Sequence, residues 1–426
     1  MTSCLAKALG LLMVVPSFPM KKVLLSLFSA VSLGFAQDAP EVNVWSYTGP
    51  DLFTSMIIAT ATMDWNGDDQ IAEDKKGPDD PKLKKDEIAV YGDENGLLAA
   101  ELTNVPKGAK VSVEMSGDGF LKPSKWTGTM KRAYDMVHIF PKAVWDYASL
   151  QQVLEQRPAN VTIKVAIDGK ELPEVNETVV LRSINDCPFY ILFDEAGEDF
   201  DDISFMFAAY VNENHPWIDG LLKEALDIGK DAGIIESFDG YQSEDPEVVM
   251  AQVFAVWNAL QRRGIKYSSI TTTTPSKYAS CQTVRFLDES IQNTQANCVD
   301  GSVLMASILR KIGIDVYLVM VPGHCFLAFM DGEGDDAGLV GLETTMLGQD
   351  NLKPLKELPK LPAKLKQKEH NASFKTFEAA IEAGNESLDE HSEAFDAGDD
   401  PDVQLISIED ARDLGIMPLA SGKKKQ

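Results

Sequence analysis

Three residues in the second half of the chain carry side chains that could together perform nucleophilic acyl transfer. In chain order they are Cys298, His324 and Glu343. A cysteine thiolate can attack a carbonyl carbon, and a histidine can take up a proton and return it to the leaving group. A carboxylate can hold the imidazole in one tautomer. The sequence therefore predicts Cys298 as nucleophile, His324 as base and Glu343 as orienting acid.

The segment around Cys298 has the signals of a helix at both ends. Asn297 is a good N-cap residue, and Asp300 follows three positions later, where the acid of a capping box belongs. Arg310 lies in the expected last turn, and Gly313 fits the position just beyond it. The cysteine is thus expected in the first turn, where unpaired backbone amides and the positive end of the helix dipole favour a thiolate.

The lengths of the following elements predict that the three residues meet. A helix beginning at Cys298 rises about 21 Å, and the strand after it returns about 26 Å. If Pro322-Gly323 is a turn, His324 starts a second strand beside the beginning of the helix. A third strand, Leu339–Thr344, then brings Glu343 opposite His324, provided that the strands form one meander.

Each of the three residues also has an ordinary structural interpretation. Cys298 could be a buried apolar residue, His324 a turn residue and Glu343 a charge at a strand edge. The helix signals and the returning histidine favour the functional interpretation of the cysteine.

Three aspartates and a second cysteine also lie near these residues in the sequence. Asp331, Asp335 and Asp336 compete with Glu343 for the orienting role, but a flexible loop holds such an acid poorly. Cys325 is expected to point away from the face that carries His324, into the core.

Four segments in this region resemble the core of the transglutaminase-like superfamily, which has a papain-like fold. They are Asn297-Cys298-Val299-Asp300, Leu309-Arg310-Lys311-Ile312-Gly313-Ile314, Pro322-Gly323-His324 and Glu343-Thr344-Thr345. The resemblance covers about residues 203–352. It implies attack on an amide through a thioester, and it makes Gln282 a candidate oxyanion donor.

Two positions depart from the pattern of that family. The family usually has aspartate where this chain has Glu343, which is a conservative difference. Cys325 stands where an aromatic residue or alanine often follows the histidine, so the substrate pocket is expected to differ.

The resemblance leaves the reaction open between several outcomes. Water as acceptor would make the protein a protease or amidase, and an amine would make it a crosslinker of peptide or protein substrates. The superfamily also has members without activity, so the alternative is an envelope binding or scaffold protein. The proposed chemistry requires no cofactor.

Length and charge limit the remaining possibilities. The 426 residues predict two or three domains, and the formal net charge is −27. Such an acidic chain would be repelled by nucleic acids and by anionic membrane surfaces, so neither is an expected partner.

The N-terminus has the features of a signal peptide. Lys21-Lys22 precedes the apolar run Val23–Phe35, and Gly34 and Ala36 offer small residues at the two positions that a signal peptidase reads. Residues 1–36 are therefore predicted to direct export to a secreted or periplasmic location, with Met20 as the true start. The resemblance described above implies an exported protein of bacterial type. No stable membrane insertion is expected after removal of the signal, although an uncleaved anchor is the competing interpretation.

Composition and periodicity divide the rest of the chain into three parts. Residues 37–192 contain short apolar runs separated by turn signals, including Ser55–Met63 and the strictly alternating Val161–Ile167, which predict an Ig-like β-sandwich. Residues 203–352 form the predicted transglutaminase-like α+β domain. Residues 353–426 are predicted to form an extended segment followed by C-terminal helices at Phe374–Leu388 and Ile408–Leu414.

Cysteines and acidic loops give two secondary hypotheses. In an exported chain Cys187 and Cys281 could form a disulfide, and no Cys/His cluster has zinc spacing. The segment Asp64–Ile71 resembles the start of a calcium loop, but the glycine and the final glutamate of that loop are missing. A calcium-dependent adhesion module is therefore a third, weaker interpretation.

Overall fold

The computed structural model describes residues 39–63, 88–93, 96–194, 196–270, 273–334, 337–349, 368–398 and 400–422. The predicted signal peptide, the possible calcium loop Asp64–Ile71 and the start of the predicted extended segment lie outside these residues. Within them the chain is a mixed α+β protein, as the sequence predicted at that level.

The strands and helices are numbered here in chain order. The strands are β1 (Val42–Ser46), β2 (Asp51–Phe53), β3 (Ala89–Gly92), β4 (Leu98–Val105), β5 (Lys110–Gly117), β6 (Leu121–Thr129), β7 (Tyr134–Phe140), β8 (Val144–Trp145), β9 (Arg157–Ile167), β10 (Lys170–Glu171), β11 (Val175–Arg182), β12 (Asp186–Leu192), β13 (Phe200–Asp202), β14 (Lys266–Tyr267), β15 (Ala279–Thr283), β16 (Gln295–Ala296), β17 (Val316–Val321), β18 (His324–Met330), β19 (Leu339–Leu342) and β20 (Gln404–Ser407). The α-helices are α1 (Thr54–Ala59), α2 (Tyr147–Leu150), α3 (Ile218–Ala232), α4 (Pro246–Arg262), α5 (Leu287–Asn293), α6 (Cys298–Lys311), α7 (Lys368–Glu390), α8 (Ser392–Ala397) and α9 (Ile408–Asp413), and 3₁₀-helices span Ser204–Tyr210 and Thr344–Met346.

The chain divides into two compact units. The described residues of the first are 39–203, with 275–282 and the last two described residues, and the second comprises residues 204–274 and 283–420. The second unit therefore includes the C-terminal helices together with the region that carries Cys298, His324 and Glu343.

The first unit is built mainly from antiparallel sheets. One sheet has the order β1-β4-β7-β3, and a larger one has the order β2-β11-β9-β5-β6-β8 with β10 added to β9. The alternation in Val161–Ile167 correctly predicted strand β9, whose apolar side chains are buried. β9 turns back through Asp168-Gly169, both with positive φ, and pairs antiparallel with β11.

The run Ser55–Met63 was predicted as a strand, and this prediction is wrong. The structure places helix α1 there, with all six of its residues buried. A short run that is apolar on every side has no period to distinguish a strand from a buried helix. Thr54 and Ser55 donate their hydroxyl hydrogens to the backbone oxygens of Arg182 and Asp186, which satisfies these buried polar groups.

The third sheet of the first unit contains the two cysteines considered for a disulfide. Its order is β13-β12-β15, with Cys187 in β12 and Cys281 in β15. Both are free thiols in the structure. Burial raises the pKa of Cys281 to about 11 and raises that of Cys187 as well.

The second unit contains the helices and the sheet that position the candidate site. Helix α3 ends at Gly233 with φ of 66°, and α4 begins after the N-cap Asp245. The sheet has the order β19-β18-β17-β20, entirely antiparallel. β20 was not predicted, because the sequence around it reads as an acidic loop.

The C-terminal helix α7 packs against this sheet at a contact between two glycines. Gly384 of α7 lies so close to Gly341 of β19 that a Cβ atom on Gly384 would come within 2.4 Å of the Gly341 carbonyl carbon. Nearby, Asn385 accepts a hydrogen bond at its Oδ1 from the Gly341 amide at 2.8 Å. The helix predicted at Phe374–Leu388 is confirmed and is longer at both ends.

We expect Gly384→Ala to destabilise the protein, although alanine favours helices. The helical gain is about 0.5–1 kcal/mol, whereas overpacking against a backbone that cannot rotate away costs about 1–3 kcal/mol or more. Urea unfolding of the full chain measures the difference.

Gly220→Ala is the matched control, since Gly220 is a helical glycine of α3 with open space around its Cβ position. We expect it to stabilise the chain by about 0.5–1 kcal/mol. If both substitutions raised the free energy of unfolding by the same amount, the contact between the two glycines would not constrain the packing of α7 on β19.

Candidate active site

Cys298 is the first residue of helix α6, held there by a complete capping box. The Asn297 side chain accepts a hydrogen bond from the Asp300 amide at 2.8 Å, and the Asp300 carboxylate accepts one from the Asn297 amide at 3.0 Å. The predicted start of the helix is therefore confirmed. Cys298 itself is half-buried and lies at the positive end of the helix.

The capping carboxylate also joins the helix to the segment that precedes α5. Asp300 is completely buried, and Arg285 donates to it from its backbone amide and from Nη1, both at 2.7 Å. The other terminal nitrogen of Arg285 donates to the Ile270 carbonyl oxygen at 2.7 Å. Burial raises the pKa of Asp300, while the donors from Asn297 and Arg285 oppose that rise.

The hairpin of β17 and β18 returns the chain to Cys298. Pro322-Gly323 is its two-residue turn, with Gly323 at φ of 71°, and His324 pairs with Val321 as the first residue of β18. Proline followed by a glycine in the left-handed region suits a type II turn. The predicted turn and second strand are confirmed, and the His324 side chain is 34% exposed.

Glu343 lies just after β19, although the sequence predicted it within the third strand, Leu339–Thr344. The strand ends at Leu342, and Glu343 caps the 3₁₀-helix Thr344–Met346. Its Oε1 accepts from the Thr345 amide at 2.9 Å and from the Thr345 hydroxyl at 2.6 Å. Its backbone amide donates to the Ala380 carbonyl oxygen of α7 at 3.0 Å. Hydrogen bonds therefore fix both the side chain and the backbone of Glu343.

A continuous line of hydrogen bonds joins the three predicted residues. His324 Nε2 lies 2.6 Å from Glu343 Oε2, and the imidazole also forms a hydrogen bond with the Cys298 side chain. Because Glu343 occupies Nε2, the nitrogen left for the thiol is Nδ1. This is the arrangement in which an imidazole can exchange a proton with a thiol while a carboxylate fixes its orientation.

The two hydrogen-bonding partners of His324, Cys298 and Glu343, stabilise its protonated imidazole. The hydrogen bond with Cys298, followed by that with Glu343, outweighs burial and raises the pKa of His324 to about 10. Burial alone would raise the pKa of Glu343, but its hydrogen bonds with His324 and Thr345 hold that pKa below its ordinary value. The site therefore favours an imidazolium flanked by two groups that can carry negative charge.

Hydroxyl groups surround the first turn of α6, and the sequence analysis did not identify them. Ser302 donates to the Cys298 carbonyl oxygen at 2.8 Å, and its hydroxyl lies 3.2 Å from that of Thr344. Thr345, which holds Glu343, was part of the quoted Glu-Thr-Thr motif but received no role. Cys325 is buried, as predicted, and burial raises its pKa well above the ordinary value.

The remaining sequence candidates are Gln282 and the aspartates of the loop 331–338. Gln282 is half-buried in β15 and is counted with the first unit, so its role as oxyanion donor stays a prediction. Asp331 accepts from the Gly338 amide at 2.6 Å, which closes its own loop, and Asp335 and Asp336 lie outside the described residues. In the described ranges, no group of three or more histidine, cysteine or acidic side chains could hold a metal ion.

None of the helices in the part of the chain that the structure describes has the length and apolar character needed to cross a membrane. Comparison of the sequence with models of protein families and with curated proteins finds no match.

The raised pKa of His324 predicts a specific dependence of stability on pH. A group whose pKa is raised in the folded state stabilises that state fully below its unfolded value, near 6.5, and loses this contribution as pH rises to about 10. We expect the free energy of unfolding to fall more steeply across this window in the wild type than in His324→Ala. Urea unfolding at a series of pH values measures the difference.

Glu343→Gln serves as the intermediate case for this prediction. It preserves the shape of the side chain but removes the charge beside the imidazole. The fall of the free energy of unfolding with pH should therefore be less steep than in the wild type but still present. Superimposable pH profiles of the three proteins would contradict the assigned protonation of His324.

Proposed function

We propose that the chain is a transglutaminase-like enzyme that transfers an acyl group from a peptide or amide substrate through a thioester on Cys298. The observation that carries the proposal is the line of hydrogen bonds from Cys298 through His324 to Glu343 at the start of helix α6. The conservative change to glutamate in the third position preserves a carboxylate at 2.6 Å from the imidazole.

In the first step, the thiolate of Cys298 attacks the carbonyl carbon of the scissile amide. The resulting tetrahedral oxyanion is stabilised by the backbone amide of Cys298, which lies at the first helical position where no intrahelical acceptor is available. As the C–N bond breaks, the imidazolium of His324 gives its proton from Nδ1 to the departing amine. The products are a thioester and a free amine.

In the second step, the neutral imidazole takes a proton from the acceptor, which attacks the thioester carbonyl. Water releases a carboxylic acid, and a primary amine forms a new amide, so the two outcomes share every enzyme group and differ only in the acceptor. Collapse of the second intermediate expels the Cys298 thiolate and restores the imidazolium. Glu343 keeps the imidazole in one orientation throughout.

The order of elements around the site supports a papain-like core. A helix that begins with the nucleophile is followed by an antiparallel hairpin that carries the base, and the acid stands directly after the neighbouring strand. Residues 37–192 are proposed to form an Ig-like sandwich, supported by the two largely antiparallel sheets of the first unit. The proposed oxyanion role of Gln282 rests on the resemblance alone.

The N-terminal segment and the net charge support the proposed location and limit the possible partners. The positively charged and apolar features of residues 20–36 favour a signal peptide, so we propose a secreted or periplasmic enzyme. The formal net charge of −27 makes nucleic acids unsuitable partners. The steps derived above use only side chains and backbone amides of the protein.

We expect Cys298→Ala to abolish thioester formation and to lower amide turnover about a thousandfold or more. The substrate probe is a library of N-acetylated peptides, with products read by mass spectrometry and the acyl-enzyme trapped in acid for intact-mass analysis. His324→Ala should reduce acylation about 100-fold to 10,000-fold, because proton transfer is lost. Parallel reactions with an added primary amine separate hydrolysis from transamidation.

Selective labelling provides a test that does not require the natural substrate. Near neutral pH, iodoacetamide should modify Cys298 first, whereas Cys281, with a pKa raised to about 11 mainly by burial, should react slowly. Cys281→Ala is the matched control and should leave labelling of Cys298 unchanged. An unreactive Cys298 and no turnover of any peptide would favour the inactive binding or scaffold protein instead.

A further inference from the structure

The first turn of helix α6 contains a buried negative charge close to the nucleophile. Asp300 follows Cys298 by two residues, its side chain is fully buried, and its carboxylate reaches back to the Asn297 amide at 3.0 Å. The capping box that fixes the start of the helix therefore brings a carboxylate into the same helical turn as Cys298.

That carboxylate opposes the charge that the proposed chemistry requires. A like charge within about 4–6 Å disfavours ionisation of a neighbouring acid, and burial reduces the screening of the repulsion by water. Left alone, the ionised Asp300 would cancel much of the benefit that Cys298 gains from the positive end of the helix.

Arg285 supplies a countercharge with a well-defined geometry. Its Nη1 lies 2.7 Å from Asp300 Oδ2, and its backbone amide lies 2.7 Å from Asp300 Oδ1. The bond from Nη2 to the Ile270 carbonyl oxygen, also 2.7 Å, holds the opposite side of the guanidinium group. The side chain is only 17% exposed, so water screens this pair weakly.

We infer that Arg285 is a positioning residue of the candidate site: it neutralises the buried carboxylate of Asp300, so that the positive end of helix α6 stabilises the Cys298 thiolate. The inference rests on the proposed role of Cys298 as nucleophile. His324 and Glu343 then act on a sulfur whose surroundings on the helix side carry no net negative charge.

A purely mechanical role of the same residues makes a different prediction. If Arg285 and Asp300 only clamp the start of the helix, removal of either partner loosens the clamp and changes Cys298 in the same direction. If their charges matter, removal of the arginine and removal of the carboxylate have opposite effects, and the double substitution restores the balance.

The experiment is the rate of Cys298 modification by iodoacetamide, with the site assigned by peptide mass, at a pH below the midpoint of the wild-type rate profile, where the rate follows the thiolate fraction. This reagent is uncharged, so the variants do not alter its local concentration electrostatically. We expect Arg285→Ala to react about tenfold more slowly, which corresponds to a change of one pKa unit. Asp300→Asn should react at least as fast as the wild type, and the double variant should recover to within about threefold of it.

Arg285→Lys separates charge from geometry. It preserves a positive charge but not the forked contact, so it should retain most of the wild-type rate. Circular dichroism and the unfolding midpoint identify variants that fail to fold. If Arg285→Ala is among them, the labelling rates of Asp300→Asn and Arg285→Lys test the inference instead. Slow labelling of Cys298 in both variants would overturn the inference. Rates near that of the wild type in both would support it.

Arg310→Ala is the matched control, because Arg310 forms an ion pair with Asp315 at 3.2 Å near the other end of the same helix. It lies about 18 Å from Cys298 along the helix, beyond a Debye length, and should leave the labelling rate unchanged. A double variant as slow as Arg285→Ala would overturn the inference. Opposite effects on labelling without any amide turnover would uphold the charge balance and reject only the proposed enzymatic function.

Discussion

The 2.6 Å contact between His324 Nε2 and Glu343 Oε2 is the interaction on which the candidate site depends. It joins the beginning of one strand to the residue just after its neighbour, so it exists only when the two strands are in the correct register. A shift of one strand by one residue would leave the two side chains on opposite faces of the sheet. The contact also determines which imidazole nitrogen faces the thiol, and therefore whether Cys298 has a proton acceptor.

The C-terminal part of the chain maintains that register from outside the predicted core. Helix α7 contacts β19 through Gly341 and Gly384, and the Ala380 carbonyl oxygen accepts from the Glu343 amide. Strand β20 pairs with the opposite edge of the sheet, beside β17. The buried cluster that includes Phe326 and Phe395 joins the central strands to the residues that follow α7. The segments after residue 367 thus belong to the structural support of the site.

The buried polar groups around the helix start are organised as a charge-balanced set. Each carboxylate in this region is held by nitrogen donors: Asp300 by Asn297 and Arg285, and Glu343 by His324 and the Thr345 amide. Desolvated carboxylates without such partners would take up protons and lose the negative charge that the proposed chemistry uses. The same donors stiffen the site, because each hydrogen bond removes rotational freedom from a side chain before any substrate is bound.

Local sequence signals determined much of the arrangement of the candidate site. Capping residues placed Cys298 at a helix start, Pro322-Gly323 defined a turn, and the rise per residue of helix and strand returned His324 to the cysteine. These signals succeed because each acts over a few residues, where backbone geometry leaves few alternatives. The same reasoning failed for Ser55–Met63, since a segment buried on all sides carries no periodicity.

Only the tertiary structure decided the contacts between distant segments. No local sequence pattern predicts three of these contacts: the pairing of Arg285 with Asp300, the glycine contact between α7 and β19, and the pairing of β20 with the sheet. The division into two units likewise assigns Gln282 to the first unit, although it precedes Thr283 of the second directly in the chain. Such contacts depend on how whole elements pack, and packing is determined by shape and buried charge summed over many residues rather than by the spacing of a few.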